Sequence, residues 1–347
     1  MSQSQSTYPS NPLEIAKRLG ADNLIRILRK MVLIRNFEIR AESAYQMGKI
    51  GGFFHAYIGQ EAVQTAAVEV MGEDQWWVTS YRCHALALLL GVTPNEAMAE
   101  LYGKITGNAK GRGGSMHFFS DRLLGGHGIV GGQIPIGTGA GFAIKYRQKL
   151  NLPEGPKASI TFMGEGAVAQ GSFHESLNLA SLWNLPCLYV IENNQWGMGT
   201  HVNRALSVKR IAEAKASGYG MKSYTLDGMD FFNCYAGFKE AYEETVRTSR
   251  PVLIEVLTER FRGHSISDPA VYRSKETLGK CMERDPILML SNFMKSEKML
   301  SEEQYQKMDD EAKALVVEAM KFADQSPWPD TATLEEDVFA PSQQGDR

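Results

Sequence analysis

The sequence predicts an α/β fold built on a mostly parallel sheet with helices on both faces. Three observations carry this. Short apolar runs of strand length recur at Ala158–Met163, Cys187–Glu192 and Val252–Val256, and such runs are buried strands when turn residues bound them. Helical segments over 172–184 and 234–248 lie between them, and strand–helix alternation implies a parallel sheet covered on both sides. The first run ends in a glycine-flanked acid, Gly164-Glu165-Gly166, placed where ligands of open α/β sheets bind.

Taken in order, residues 1–20 open with polar MSQSQSTYPSNP. They lack an apolar h-region and are expected to be disordered rather than a secretory signal. An N-terminal helical arm follows over 23–48, where Leu24, Ile27, Leu28, Met31 and Leu33 recur near helical spacing. Residues 60–71 and 83–90 read as buried helices, and Pro94 starts another over 95–103. Glycine is then dense from Gly103 to Gly141, as where a main chain approaches a ligand or another backbone closely. Residues 302–323 form a charged amphipathic helix, and the chain from Ser326 is extended. The expected organisation is a disordered 1–20, a single diphosphate-binding α/β domain over 21–325, and a C-terminal tail over 326–347.

Bulk composition narrows the function classes. The chain has 347 residues, 43% hydrophobic and 22% charged, with net charge −3, so neither nucleic acid nor an anionic membrane is an expected partner. There is no apolar run of about 18 residues. The four cysteines, Cys83, Cys187, Cys234 and Cys281, form no CxxC pair, which speaks against a zinc site or a disulfide framework and fits a reducing compartment.

The chemistry concentrates in ITFMGEGAVAQG and CLYVIENNQWG. Glu165 and Asn194 each follow a strand, with one helix and one strand between them, so both emerge at the same sheet edge. A carboxylate, an amide oxygen and a nearby backbone carbonyl are hard donors that suit Mg²⁺ or Ca²⁺ rather than zinc. Backbone N–H groups at a helix start beside them would receive a diphosphate. A dinucleotide fingerprint is the competing reading, with Glu192 holding a ribose. The glycines, however, follow G-x-G-x-x-x-x-G rather than G-x-G-x-x-G.

The GEG…NN pattern resembles the thiamine-diphosphate signature, GDG followed by NN. GGFFHAYIGQEAV, TSYRCH, GRGGSMHFFS, GGHGIVGGQIPIGTG, WNLPCLYVIENNQWGMGT and RGHSISDPAVYRSKE resemble, in the same order over roughly 20–340, the alpha subunits of the thiamine-diphosphate-dependent 2-oxo acid dehydrogenases, the pyruvate branch above all. The resemblance implies the thiamine-diphosphate-binding fold, with thiamine diphosphate and Mg²⁺ as cofactors. It assigns the metal to Glu165, Asn194 and the Trp196 carbonyl, and diphosphate contacts to Gly166, Ala167, Tyr81 and Arg82. Gly128 and Val130 match contacts to the cofactor rings, and Ser120 a weaker cofactor contact. His55 and His264, the latter on a mobile loop, match catalytic histidines that can move protons near neutral pH; His264 also counts as cofactor-binding. His84 is a weaker candidate, and His117, His127, His174 and His201 carry no assigned role.

The implied reaction is oxidative decarboxylation of pyruvate with acetyl transfer to a lipoyl group of the acyltransferase component. The implied assembly is an α₂β₂ heterotetramer whose beta subunit supplies the carboxylate that activates the cofactor. Acetoin and branched-chain 2-oxo acid dehydrogenases use the same mechanism and remain open. A non-catalytic scaffold is a further rival, against which the retained Glu165, Asn194, Tyr81, Arg82 and His264 speak. Several positions depart from the pattern: Glu165 stands where the pyruvate branch has Asp, Ala169 replaces a common Asn, and Trp196 replaces a Tyr. Ser265 aligns with a regulatory phosphorylation site of the animal enzymes, while the second such serine is missing where Val271 runs into Tyr272. These features favour a bacterial-type, cytoplasmic enzyme, with an organelle matrix as the other setting.

Overall fold

The computed structural model describes residues 7–336; the expected disorder of 1–6 and the tail beyond 336 lie outside the described residues. The elements run α1 (Pro12–Leu19), α2 (Ala21–Gln46), α3 (Glu61–Met71), β1 (Trp76–Ser80), α4 (His84–Leu89), α5 (Pro94–Leu101), β2 (Leu123–His127) and α6 (Gln133–Lys149). They continue with β3 (Ser159–Gly164), α7 (Gly171–Trp183), β4 (Cys187–Asn193), a two-residue hairpin β5 (Trp196–Gly197) and β6 (Thr200–His201), α8 (Val202–Ala205), α9 (Ile211–Ser217), β7 (Lys222–Asp227), α10 (Phe231–Thr248), β8 (Val252–Leu257), α11 (Lys275–Met282), α12 (Pro286–Ser296) and α13 (Glu302–Gln325).

Six strands form one sheet in the order β2-β1-β3-β4-β8-β7, and every pairing in it is parallel. The central strands are apolar on both faces. Leu188 and Val190 of β4 enter one hydrophobic cluster with Ile160, Phe162 and Ile254. Tyr189 and Ile191, pointing the other way, enter a second with Met163 and Leu253. This is why β3, β4 and β8 read as unbroken apolar runs: neither face meets water, so alternation has nothing to report. Burying each such Leu or Ile contributes roughly 1.5–3 kcal/mol.

Chain punctuation follows the sequence closely. α5 starts with Pro94 at its first position and a full capping box between Thr93 and Glu96, satisfying two otherwise orphaned N–H groups. α13 repeats the device with Ser301 and Gln304, and it packs against α2 and α5.

The start of the chain departs from expectation. Pro12–Leu19 is a helix, capped by Asn11, where disorder was expected to residue 20. Ile15 and Ala16 are buried and the Tyr8 N–H donates to the Thr225 carbonyl, so local packing overrides the polar composition. The glycine-rich stretch likewise divides in two. Its end becomes α6, where a methyl at Gly137 would strike Thr161 Oγ1 and one at Gly141 would strike Cys187 Sγ. These glycines let α6 lie directly on β3 and β4 of its own chain, and Ile136, Phe142 and Tyr146 of the same helix are left exposed.

Candidate active site

The strand order reverses its direction of travel at β1, with β2 on one side and β3 on the other; a parallel sheet opens a crevice at the carboxyl edge there. β1 delivers Tyr81 and Arg82 to that edge, β2 delivers Gly128, β3 delivers Glu165 and β4 delivers Asn194. Gly164 and Glu192 stand side by side in the β3–β4 ladder, so Glu165 and Asn194 leave adjacent strand ends together. A cavity of about 880 Å³ opens here, and it is lined by His55, Tyr81, Arg82, Gly128, Val130, Glu165, Gly166, Ala167, Asn194, Trp196 and His264. Residues dispersed over the chain thus share one volume, of a size typical for a cofactor.

Glu165 begins a 3-10 turn, Glu165–Ala169, that precedes α7, in place of the direct entry into a helix. The side chain is 3% exposed, and among the described residues its Oε2 has no hydrogen-bond partner. Burial raises the pKa of this carboxyl, against backbone hydrogen bonds and the opposing pull of Arg260 and Arg82. A buried carboxylate oxygen without a donor is costly, and a cation would remove the cost. Asn194 stands beside it and accepts the Trp196 N–H at Oδ1, 3.2 Å. The other asparagine is structural: Asn193 donates to Glu255, 2.7 Å, and accepts from the Gln195 N–H, 3.0 Å, fixing the turn in which Gln195 takes φ +69°. Among the described residues there is no group of three or more His, Cys, Asp and Glu side chains able to hold a metal. The donor set here is one carboxylate, one amide and one carbonyl, and that hard oxygen set fits a divalent ion of the Mg²⁺ kind.

Across the cavity the rings of His55 and Tyr81 lie 4.5 Å apart and those of His55 and His264 5.2 Å apart. Burial first, then the charge of Arg82, holds His55 down at about 3 and His264 down at about 4. Both imidazoles are therefore neutral near pH 7, each with one donor and one acceptor nitrogen. His55 Nδ1 is buried and, among the described residues, unpartnered. Arg82 donates from Nη1 to the Ala56 carbonyl, 2.9 Å, and from Nη2 to the His264 carbonyl. Burial and the neighbouring Arg260 lower it to about 10, so it keeps its charge at neutral pH.

Two expectations need adjustment. Ser120 is not part of the cavity lining. It sits in the turn before the amino end of β2, where its Oγ accepts the Leu123 N–H at 3.2 Å, and a parallel strand sends its amino end away from the ligand edge. His84 is wholly buried and also lies outside the lining.

Several lining residues had no role in the thiamine-diphosphate reading of the sequence: Gln60, Gln133, Arg260, Asp268, Tyr272 and Glu192, the last having entered only as the ribose acid of the competing reading. Gln60 has both side-chain polar atoms buried and, among the described residues, unpartnered. Its only signal was membership of the GQEAV segment. Glu192 is raised to about 7 by burial, against the Tyr57 hydroxyl that donates to it. Arg260 is 1% exposed and donates to the Tyr272 hydroxyl, 3.1 Å. Two buried guanidinium groups, those of Arg82 and Arg260, share this lining with the acids Glu165, Glu192 and Asp268, so fixed positive charge is on hand for an anionic ligand beside carboxylates that could face a cation.

A family model described as "Dehydrogenase E1 component" matches residues 29–332. The chain is 44% identical over 320 residues to the pyruvate dehydrogenase E1 component subunit alpha of Rickettsia felis, covering 92% of this chain and 96% of that one. It is 41% identical over 318 residues to the protein of the same name from Rhizobium meliloti, 91% and 89% covered. It is 40% identical over 324 residues to the chloroplastic pyruvate dehydrogenase E1 component subunit alpha-3 of Oryza sativa subsp. japonica, 92% and 76% covered. With most of its length matched and the residues of the GEG…NN pattern gathered at one sheet edge, the chain belongs to the dehydrogenase E1 component family.

Proposed function

We propose that this chain is the alpha subunit of a pyruvate dehydrogenase (acetyl-transferring), carrying out thiamine-diphosphate-dependent oxidative decarboxylation of pyruvate with a beta subunit and a lipoyl-bearing acyltransferase. The observation that carries the reading is the buried Glu165 Oε2, unpartnered among the described residues, beside Asn194 in a cavity at the sheet's switch point that also holds the Arg82 and Arg260 guanidiniums. The relatives' names point to the same substrate.

In this reading Glu165, Asn194 and the Trp196 carbonyl hold Mg²⁺, and Gly166, Ala167, Tyr81 and Arg82 receive the diphosphate. Gly128 and Val130 flank the rings. When bound, thiamine diphosphate supplies a nucleophilic carbon and an electron sink for decarboxylation. The protein's part is positioning and proton handling. Arg82 orients the diphosphate end as a fixed charge while bracing the 55–57 and 264 segments. His55 and His264, both neutral, are able to exchange a proton with a developing alkoxide on the substrate. Tyr81 and the surrounding apolar lining exclude water, which strengthens these contacts. The single domain over 21–325 carries this half of the site, and the beta subunit completes it.

The test is co-expression with the beta subunit, followed by calorimetric titration with thiamine diphosphate in Mg²⁺ and a decarboxylation assay across several 2-oxo acids. Binding that depends on Mg²⁺, with pyruvate turned over fastest, is the expected result. No binding by the assembled protein would overturn the reading.

A further inference from the structure

Behind the cavity wall lies a buried chain of hydrogen bonds that none of the chemistry above uses. Glu38, in the middle of α2, and His84, at the start of α4, are 0% exposed, and Ser115 is 3% exposed. His84 Nδ1 is 3.1 Å from each Glu38 carboxylate oxygen. Its Nε2 is 3.0 Å from Ser115 Oγ and 2.9 Å from the Ser115 carbonyl. Phe54 stacks on the imidazole at 5.3 Å, and Phe37 and Phe118 meet it edge-on, so the ring has no freedom to turn.

Acid, imidazole and hydroxyl in this order match the layout of a hydrolytic triad. None of the three lines the cavity, and Ser115 Oγ already accepts the His55 N–H at 3.2 Å. No nucleophile is presented to a substrate. The chain acts instead on backbone. Glu38 Oε1 also accepts the Tyr57 N–H at 3.0 Å, and Arg82 Nη1 donates to the Ala56 carbonyl between them, 2.9 Å. Three successive residues, 55, 56 and 57, are each held by a side chain from a different part of the fold.

The 53–57 segment belongs to no helix or strand, so its buried polar groups need side-chain partners. An acid and an imidazole are an unfavourable choice if stability is the only demand, since burying ionisable groups costs more than their pairing returns. What they offer is a rigid, directional fixture. His55 needs one, because its own Nδ1 is without a partner among the described residues. Its ring is set by backbone placement and by ring contacts with Phe53, Tyr81 and His264.

We propose that Glu38, His84 and Ser115 form a positioning clamp that sets the His55 imidazole in the cavity and acts on the reaction only through His55. The inference rests on the proposed function, since it takes His55 to work at the reacting end of the site.

The experiment uses the assembled α₂β₂ protein with Ser115→Ala, which removes one hydroxyl, and His84→Gln, each alone and combined with His55→Ala. The single variants should lose at least about tenfold in kcat, as a misplaced catalytic group does, and keep thiamine diphosphate affinity within about twofold. Each double variant should turn over no more slowly than His55→Ala itself, because the clamp has nothing left to position. Losses that multiply in the double variants, or an unchanged kcat in Ser115→Ala, would overturn the clamp. Hydrogen exchange of the 53–58 peptide, read on the same tetramer without substrate, separates this inference from the assigned chemistry. Ser115→Ala should speed exchange there, and unaltered exchange counts against the clamp. Failure of the wild type to bind thiamine diphosphate would instead overturn the proposed function.

Discussion

The imidazoles of His55 and His264 meet edge to face, ring centroids 5.2 Å apart, although one precedes α3 and the other follows β8. The Tyr81 ring touches both, at 4.5 and 5.7 Å. Two neutral histidines and a phenol thereby share one wall of the cavity, and Arg82 ties the backbones of their segments together.

This arrangement sets a pH dependence of stability. Both imidazoles are held below their ordinary value in the folded protein, His55 at about 3 and His264 at about 4, so the unfolded chain binds protons first. Their contribution is fully present above the unfolded value of about 6.5 and is lost as pH falls from there toward 4 and 3. For His55 the loss between pH 7 and 5 is roughly 2 kcal/mol. Denaturant midpoints of the assembled protein at the two pH values should differ less in His55→Gln than in the wild type. Equal pH slopes would remove the histidine from this role.

Glu165→Ala or Asn194→Ala should abolish Mg²⁺-dependent cofactor binding and leave the fold intact. Both side chains stand at strand ends outside the two hydrophobic clusters, so little packing is lost. A weakening beyond about 100-fold is expected, since even outer-sphere partners of a metal are worth 10–100-fold. Calorimetry with and without Mg²⁺ measures it, and unchanged affinity would sink the metal assignment.

Cofactor binding should protect the 260–276 segment from proteolysis. Asp268 is its hub, accepting from the His264 N–H at 2.6 Å, the Ala270 N–H at 2.9 Å and the Tyr272 hydroxyl at 2.6 Å. The Tyr272 ring rests 4.9 Å from that of Trp196, next to the proposed metal carbonyl. Occupation of the metal corner should therefore steady the loop. Limited trypsin digestion should cut more slowly with thiamine diphosphate and Mg²⁺, and faster in Asp268→Asn. Identical cleavage rates with and without cofactor would argue against this coupling.

Glu100→Ala should destabilise the chain by about 3 kcal/mol or more. Its buried carboxylate accepts N–H groups of Ala109 (2.7 Å), Gly111 (2.9 Å), Gly113 (2.7 Å) and Gly114 (3.1 Å). Each buried donor left without a partner costs about 1–3 kcal/mol. Thermal unfolding of the variant, assembled with the beta subunit, checks the figure; a shift below 1 °C would mean water replaces the carboxylate.

The chain by itself should not decarboxylate pyruvate. Ile136, Phe142, Tyr146 and Trp183 are exposed, and Phe142 stacks on Tyr146 and meets Trp183 at a tilt in one aromatic patch, the kind of surface that marks a subunit contact. A permanent interface of this type buries more than about 2,000 Å². Turnover measured with an artificial electron acceptor should appear only when the beta subunit is added. Full turnover by the lone chain would refute the need for a partner.

The sequence by itself determined β3, β4 and β8, most of the helices, and the arrival of Glu165 and Asn194 at one sheet edge. These are local quantities: a strand buried on both faces is an unbroken apolar run, and a βαβ unit carries its two ends to the same side. Tertiary structure decided the rest. β7 is half-exposed at the sheet's end, and β2 contains two glycines, LLGGH, so neither carries a strong apolar signal and both become strands through their neighbours' ladders. Ser120 lies in a segment rich in matched motifs, yet chain direction puts it at the amino end of β2, away from the cavity. Glu38, His84 and Ser115 come from three separate segments, and their hydrogen bonds have no counterpart in spacing or composition. A hydrogen bond depends on where two groups meet in space, and for residues far apart in the chain only the packed sheet and helices fix that meeting.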